Sequence, residues 1–196
     1  MSFSRDVFKY RSYTPIPFII LMLIFENANV YSLSIGLLIT LIGEAIRLWA
    51  VSWAGSETRT TGTIGGTFLI ISGPYSFVRN PLYVGNILMY TGLGIMSNAL
   101  FPYLQIAGFI FFVIQYLIII NEEEKYLSKT FGAEFENFKS KVPKFLPRLI
   151  PYRDKNVKQP PLNMQAGLKS ERRSIQAFAV VAFFVLIKWL IRTQAF

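Results

Sequence analysis

Apolar residues in this chain gather into long runs, and the polar stretches between them fix where the elements begin and end. A helix needs about 20 apolar residues to cross a bilayer, and five segments approach that length. The first, from about Pro15 to Phe25, is short and opens on Pro15 and Pro17, so it needs flanking residues such as Tyr13 or a tilt to cross. The second, from about Tyr31 to Ala54, is long enough unaided. The third and fourth run from about Tyr83 to Met96 and from about Phe101 to Ile120, joined by the stretch SNALFP. A fifth, from about Ser174 to Ile191, follows a polar tail. The turn around Glu26 to Asn29 and the SNALFP turn are both so short that each joins antiparallel neighbours. In lipid only helices and closed barrels satisfy their own backbone. The predicted fold class is therefore all-α, a multi-pass membrane bundle of about five transmembrane helices. Its expected parts are a four-span core with a C-terminal cap over 1–152, a basic linker over 153–173, and an additional helix over 174–196.

Composition supports this placement, since 53% of the 196 residues are hydrophobic, too many for an ordinary soluble surface. The two short turns hold no Lys or Arg, whereas the N-terminus, the 55–82 segment and the 121–173 segment hold nearly all of them. The bias of cationic residues towards the cytoplasm puts the N-terminus and both long polar segments on that side. Arg5, Asp6, Lys9 and Arg11 precede a span without a small-residue cleavage site, so no cleavable signal is predicted. The net charge of +9 fits attraction to anionic headgroups, and no nucleic-acid partner is expected. There is neither cysteine nor histidine. The commonest general base and the commonest metal ligands are missing, so no metal site is expected. Proton handling falls to Asp, Glu, Lys, Tyr, water or substrate, and the chemistry points to a borrowed cofactor.

Two polar segments interrupt the apolar pattern. GPYSFVRNPLYVGN, residues 73–86, crowds an Arg, two Pro and two Tyr between apolar runs. Pro81 disfavours helix at Asn80, so the chain breaks at Arg79 and Asn80 before a helix restarts near Tyr83. NEEEKYLSKTFG follows directly from the fourth span, on a helix expected to continue past the membrane plane and to stop at Gly132. Read alone, Glu122 to Glu124 are solvated and pair with Lys125 or Lys129. TRTTGTIGG reads as a flexible loop rather than a phosphate cradle. Within the second span, Glu44 and Arg47 share one helical face, and ionisable groups at that depth are costly unless paired or facing a polar cavity. The expected arrangement has Arg47 facing the site and Glu44 neutralising it.

Together these segments resemble a known family. GPYSFVRNPLYVGN looks like a GPY…R-[H/N]-P-x-Y-x-G signature, and EEKYLSKTFGAEFENFKSKVPKFLP looks like an E-E-x-x-L…F-G…V-P-x-F-x-P pattern. Both are features of the membrane methyltransferases that include isoprenylcysteine carboxyl methyltransferase and the phospholipid methyltransferases. The resemblance covers about residues 30–150 and implies S-adenosylmethionine as cofactor. It makes Tyr75, Arg79, Asn80, Pro81, Tyr83 and Gly85 one wall of the cofactor pocket, and Glu123 and Glu124 its acidic pair. Arg47, Arg79 and Glu123 are the implied catalytic candidates. Asn80 stands where many relatives carry His, which excludes an imidazole proton while leaving an amide able to bond adenine or ribose. Phe135 and Phe138 stand where Tyr is frequent, and are expected to pack the cap.

The residue types suit such a cofactor, which carries a sulfonium, an ammonium and a carboxylate. Acids, a cation or helix N-terminus, and aromatic faces are what these groups require. Glu123 or Glu124 would meet the ammonium, with Glu123 the more inward because Ile119 and Leu127 place it on an apolar stripe. Arg79 or the third span's N-terminus would meet the carboxylate, and Tyr75 or Tyr83 the adenine or sulfonium. The reading is an integral-membrane methyltransferase whose lipophilic acceptor, a prenylcysteine-like carboxylate or a phospholipid amine, arrives from the membrane lipids. The alternatives are a nicotinamide-dependent membrane reductase of related architecture and a non-catalytic scaffold. Trp49, Trp53, Tyr116 and Tyr152 are assigned to interfacial anchoring, and Gly92 and Gly94 to close helix packing. The fifth span is expected to pack or anchor, with no residue in the cofactor pocket.

Overall fold

The computed structural model describes residues 3–55 and 68–194. The TRTTGTIGG stretch lies outside the described residues. All regular elements described are helical: α1 Phe3–Tyr10, α2 Ile16–Ile24, α3 Val30–Ala54, α4 Pro81–Ser97, α5 Tyr103–Lys141 and α6 Met164–Gln194, with a 3-10 turn over Gly73–Ser76 before α4.

Local chemistry explains the boundaries. Asn29 caps α3: its Oδ1 accepts from the Ser32 backbone N–H at 3.0 Å while Ser32 Oγ accepts from the Asn29 N–H at 3.0 Å. These reciprocal bonds satisfy two donors that a helix start leaves free. Pro81 occupies the first turn of α4, where its missing N–H costs nothing. The helix thus restarts two residues before Tyr83. α5 leaves helical geometry at Gly132, whose φ of 51° suits a residue without Cβ. The expected stop is therefore a bend, after which the chain coils again to Lys141. Asn163 begins α6 by accepting from the Ala166 N–H at 2.9 Å.

Three described helices, α3, α5 and α6, are long and apolar enough to cross a membrane. The helices at the other two predicted spans fall short of spanning length, although α4 exceeds the stretch expected from Tyr83 to Met96. α2 has 9 residues and α4 has 17, so at 1.5 Å per residue they reach about 14 and 26 Å against a hydrocarbon core of about 30 Å. The prolines at 15 and 17 start α2 late, and the left-handed Asn98 (φ 50°) caps α4. Outward faces of the long helices are apolar, as at Leu38, Ile110 and Phe183, each about half exposed or more.

Small residues bring α3 and α4 together. A Cβ at Gly36 would collide with the Met96 backbone, and one at Gly92 with Thr40. A Cβ at Gly43 would sit 2.7 Å from the Gly85 carbonyl oxygen. Gly92 thus packs as expected, whereas Gly94 has only ordinary contacts with Met22 and Gln105. At the end of the bundle holding both short turns, Asn27 N–H donates to the Ser97 carbonyl at 3.0 Å. There α6 also contributes Lys188, which donates to the Leu23 carbonyl, and Arg192, which donates to the Ala28 carbonyl and faces Glu26 at 3.4 Å.

At the opposite end, residues 142–160 fold back as a cap. The Arg79, Arg148 and Tyr152 N–H groups donate to the Pro143, Phe77 and Ser76 carbonyls at 2.8–3.0 Å. Phe135 and Phe138 are buried beneath the cap with Val142, Tyr152, Leu69 and Ile71. Gln159 closes it, accepting from the Ile71 and Ser72 N–H groups and donating to the Leu69 carbonyl.

Candidate functional site

The two polar segments meet at this capped end. Between them lies a cavity of about 740 Å³, within the range of about 300–1,000 Å³ common for small-molecule sites. α3 supplies Arg47. The 68–80 segment gives Tyr75, Arg79 and Asn80; α4 gives Pro81, Tyr83, Asn86 and Tyr90. α5 contributes Tyr116, Glu123 and Glu124, and α6 contributes Glu171 and Ser174.

The acidic pair divides its work. Glu124 is 8% exposed, and its Oε1 accepts from Arg79 Nε and Nη2 at 3.2 and 3.0 Å. Lys144 stands 3.5 Å from its other oxygen. Arg79 Nη1 also donates to the Lys139 and Val142 carbonyls. Arg79 thereby spends four hydrogen bonds tying Glu124 to the cap. Glu123, about 100° away round the helix, accepts from the Tyr83 hydroxyl at 2.7 Å. The Tyr83 ring stacks on Tyr116 with centroids 4.6 Å apart. A carboxylate held by a neutral phenol and an aromatic pair therefore share one wall. Glu122 pairs with Lys125 at 2.8 Å on the exposed side, so the solvated reading fits only the first acid of the triplet.

A second polar cluster lines the cavity from the membrane helices. Arg47 Nε donates to Glu171 Oε2 at 3.1 Å, Nη2 donates to the same oxygen and to Ser174 Oγ, and Nη1 donates to Asn86 Oδ1. Glu44 stands 3.9 Å from Arg47 Nε, and neither of its carboxylate oxygens has a hydrogen-bond partner among the described residues. The expectation that Glu44 neutralises Arg47 holds only in part: Glu44 pairs with it at 3.9 Å, while Glu171, 2% exposed, is the hydrogen-bonded counter-ion. The fifth span, expected to pack or anchor, belongs to a helix whose Glu171, Arg173, Ser174 and Ala177 line the cavity. Sequence reasoning missed Glu171 although a signal existed. It is the one acid in the basic stretch LKSERRS before an apolar run.

Of the residues expected in the pocket wall, Tyr75, Arg79, Asn80, Pro81 and Tyr83 line the cavity and Gly85 does not. A Cβ on Gly85 would lie 2.5 Å from Arg47 Cγ, so this glycine makes room for Arg47. Asn80 Nδ2 donates to the Lys144 carbonyl at 3.3 Å. Burial pushes the Tyr75 phenol well above its usual range, and the nearby Glu123 charge adds to the shift. Tyr75 therefore stays a neutral donor at ordinary pH. Three assigned anchors are relocated. Tyr116 is a buried cavity residue, Tyr152 packs on Phe138 beneath the cap, and Trp53 packs against Gly73. Only Trp49 is substantially exposed.

Apolar helices of spanning length with a polar cavity at one end of the bundle define the class, a helical membrane protein with a cavity of small-molecule size. The phospholipid methyltransferase family profile matches residues 31–134, more than half of the 196-residue chain, so this chain belongs to that family of membrane methyltransferases. Two curated relatives are similar over 125 residues, or 64% of this chain. One is the cobalt-zinc-cadmium resistance protein CzcN of Cupriavidus metallidurans, at 33% identity over 53% of its length. The other is the nickel-cobalt-cadmium resistance protein NccN of Alcaligenes xylosoxydans xylosoxydans, at 31% identity over 54% of its length. The matched part spans about half the length of these relatives. No solved structure matches. Among the described residues no three His, Cys, Asp or Glu side chains converge to hold a metal ion.

Proposed function

We propose that the chain is an integral-membrane methyltransferase that binds S-adenosylmethionine in the capped cavity and methylates a lipophilic acceptor. The observation carrying this reading is Glu123, whose carboxylate faces the cavity from the Tyr83 hydroxyl beside the Tyr83–Tyr116 stack. A carboxylate and π faces are the complement of a ligand that bears an ammonium and a sulfonium. When bound, S-adenosylmethionine supplies an electrophilic methyl group on a sulfonium centre. Glu123 takes the ammonium, Tyr75 and Tyr83 flank the adenine or sulfonium, and the Asn80 amide meets the nucleoside. The α4 N-terminus, where Pro81 and Leu82 line the cavity, takes the carboxylate, because Arg79 is spent on Glu124 and the cap.

On this reading Arg47, Asn86 and Ser174 form the acceptor side. Methyl transfer by in-line displacement, with S-adenosylhomocysteine leaving, depends chiefly on alignment, so a carboxylate acceptor needs no proton transfer, whereas a phospholipid ammonium must first lose a proton to water or a nearby carboxylate. A chain without histidine therefore suits this chemistry. The acceptor is a prenylcysteine-like carboxylate or a phospholipid amine, entering from the bilayer, while the cofactor enters from the cytoplasm, the side where Lys and Arg concentrate. Calorimetric titration of the purified protein with S-adenosylhomocysteine and, separately, with a reduced nicotinamide tests it. Binding of the first supports the proposal. Binding of the nicotinamide alone would overturn it in favour of a reductase, and binding of neither would favour a scaffold.

A further inference from the structure

The cap carries an apolar tip that stays largely uncovered by the described residues. Leu146, Leu149 and Ile150 are 80, 96 and 71% exposed, within a turn whose flanking residues are held in place. The Arg148 and Tyr152 N–H groups donate to the Phe77 and Ser76 carbonyls at 3.0 and 2.8 Å. The tip is therefore presented rather than loose. Three large apolar side chains standing free on an ordered turn mark an interaction surface.

Its height in the bundle can be read from neighbouring contacts. Lys144 Nζ donates to Asn121 Oδ1 at 2.8 Å, and Asn121 is the first polar residue after the apolar run of α5 ending at Ile120. Phe145 packs on the cluster that contains Ile119 and Ile120. The tip thus stands at the level where α5 passes from apolar to charged, the level of the headgroups for a spanning helix. Charge agrees with this placement. Residues 139–158 contain seven Lys or Arg and one acid, Asp154, a net of +6. Apolar side chains surrounded by cations at this depth are the features of a segment seated in an anionic interface.

We propose that Leu146, Leu149 and Ile150 insert into the interfacial layer of an anionic lipid leaflet, making the cap a second membrane contact alongside the spanning helices. The same segment carries the Pro143, Arg148 and Tyr152 backbone bonds that hold the cap over the cavity. Lipid contact at the tip thereby steadies the cavity's cover.

The natural absence of cysteine allows single-site labelling of the full chain. Leu149→Cys, carrying an environment-sensitive fluorophore, is reconstituted in phosphatidylcholine vesicles with and without phosphatidylglycerol, some bearing a quencher near the headgroup. Leu38→Cys on the apolar face of α3 serves as the lipid-exposed reference and Asn156→Cys on the same cap as the aqueous one. The expected result is blue-shifted, quenched emission from position 149, stronger with phosphatidylglycerol and weakened by salt, with no quenching at 156. A label at Leu146→Cys should lose its quenching when Leu149→Asp and Ile150→Asp are added. Unfolding temperature in detergent should stay unchanged, since both side chains are exposed. Emission at 149 matching that at 156 would overturn the proposal. So would a blue shift that grows with protein-to-lipid ratio and ignores the quencher, which would make the tip a contact between copies. No cofactor or acceptor enters the measurement, so its outcome is independent of the enzymatic reading.

Discussion

Arg47 of α3 donates through Nε to Glu171 of α6 at 3.1 Å, across 124 residues of chain. The two side chains are 13 and 3% exposed, so both charges are largely desolvated and each depends on its partner. Breaking such a pair from one side costs about 3–5 kcal/mol, whereas replacing both charges with apolar groups is often neutral. Glu171→Leu alone should therefore lower unfolding stability in detergent by about that amount, and Arg47→Met with Glu171→Leu should recover most of it. A double-mutant cycle that shows simple additivity would mean that the two residues do not stabilise one another.

The division between Glu123 and Glu124 separates ligand binding from cap closure. A hydrogen bond to a charged group contributes about 1.5–3 kcal/mol, so Glu123→Gln should weaken S-adenosylhomocysteine binding roughly ten- to a hundredfold by calorimetry. Glu124→Gln removes the acceptor of Arg79 and the partner of Lys144. Its main effect should be faster backbone hydrogen exchange over residues 142–152, with a smaller change in affinity.

The amide of Asn80 lines the cavity and donates to the Lys144 carbonyl. Asn80→Leu should weaken S-adenosylmethionine and S-adenosylhomocysteine alike, because the nucleoside is common to both. A net hydrogen bond is worth about 0.5–1.5 kcal/mol, which corresponds to a several-fold loss. Unchanged affinity for both would remove Asn80 from the nucleoside's surroundings.

Gly92 and Gly94 are two residues apart on α4 and face different surroundings. A methyl at 92 meets Thr40 and the Gly36 carbonyl, while one at 94 meets only Met22 Cε at 3.4 Å and Gln105 Cγ at 3.5 Å. Overpacking costs about 1–3 kcal/mol, so Gly92→Ala should lower thermal stability by that order. Gly94→Ala should leave it unchanged or raise it, since Ala favours helix over Gly by about 1 kcal/mol. Equal effects at the two positions would contradict the close α3–α4 contact.

Much of the architecture could be read along the chain because its causes are local. The apolar run of α3, the break before Pro81, an interruption at Gly132 and the continuation of α5 through Glu122–Glu124 all follow from residues a few positions apart, although the chain bends at Gly132 and coils on where a stop was expected. Phe135 and Phe138, which the family resemblance implied as packing residues because Tyr is frequent at their positions, are buried beneath the cap. The boundary of α6 was harder, since LNMQAGLKSERRS is polar enough to read as a linker. It becomes helix where Asn163 caps it and Gly167 fits against Ser52.

The pairings were decided only when distant segments met. Charge is countable in a sequence, but a counter-ion is chosen by distance in space. Arg47 had Glu44 three residues away and is nonetheless held by Glu171, because α6 crosses α3 at that height while the Glu44 carboxylate stands 3.9 Å off. Aromatic residues near span ends look alike in sequence. Tertiary packing put Tyr116 in the cavity and Tyr152 beneath the cap, and left Trp49 exposed. The reason is common to all of them. Hydrophobic period and turn chemistry act over a few residues and survive in the linear order, whereas desolvation of a charge or ring depends on every element that packs around it.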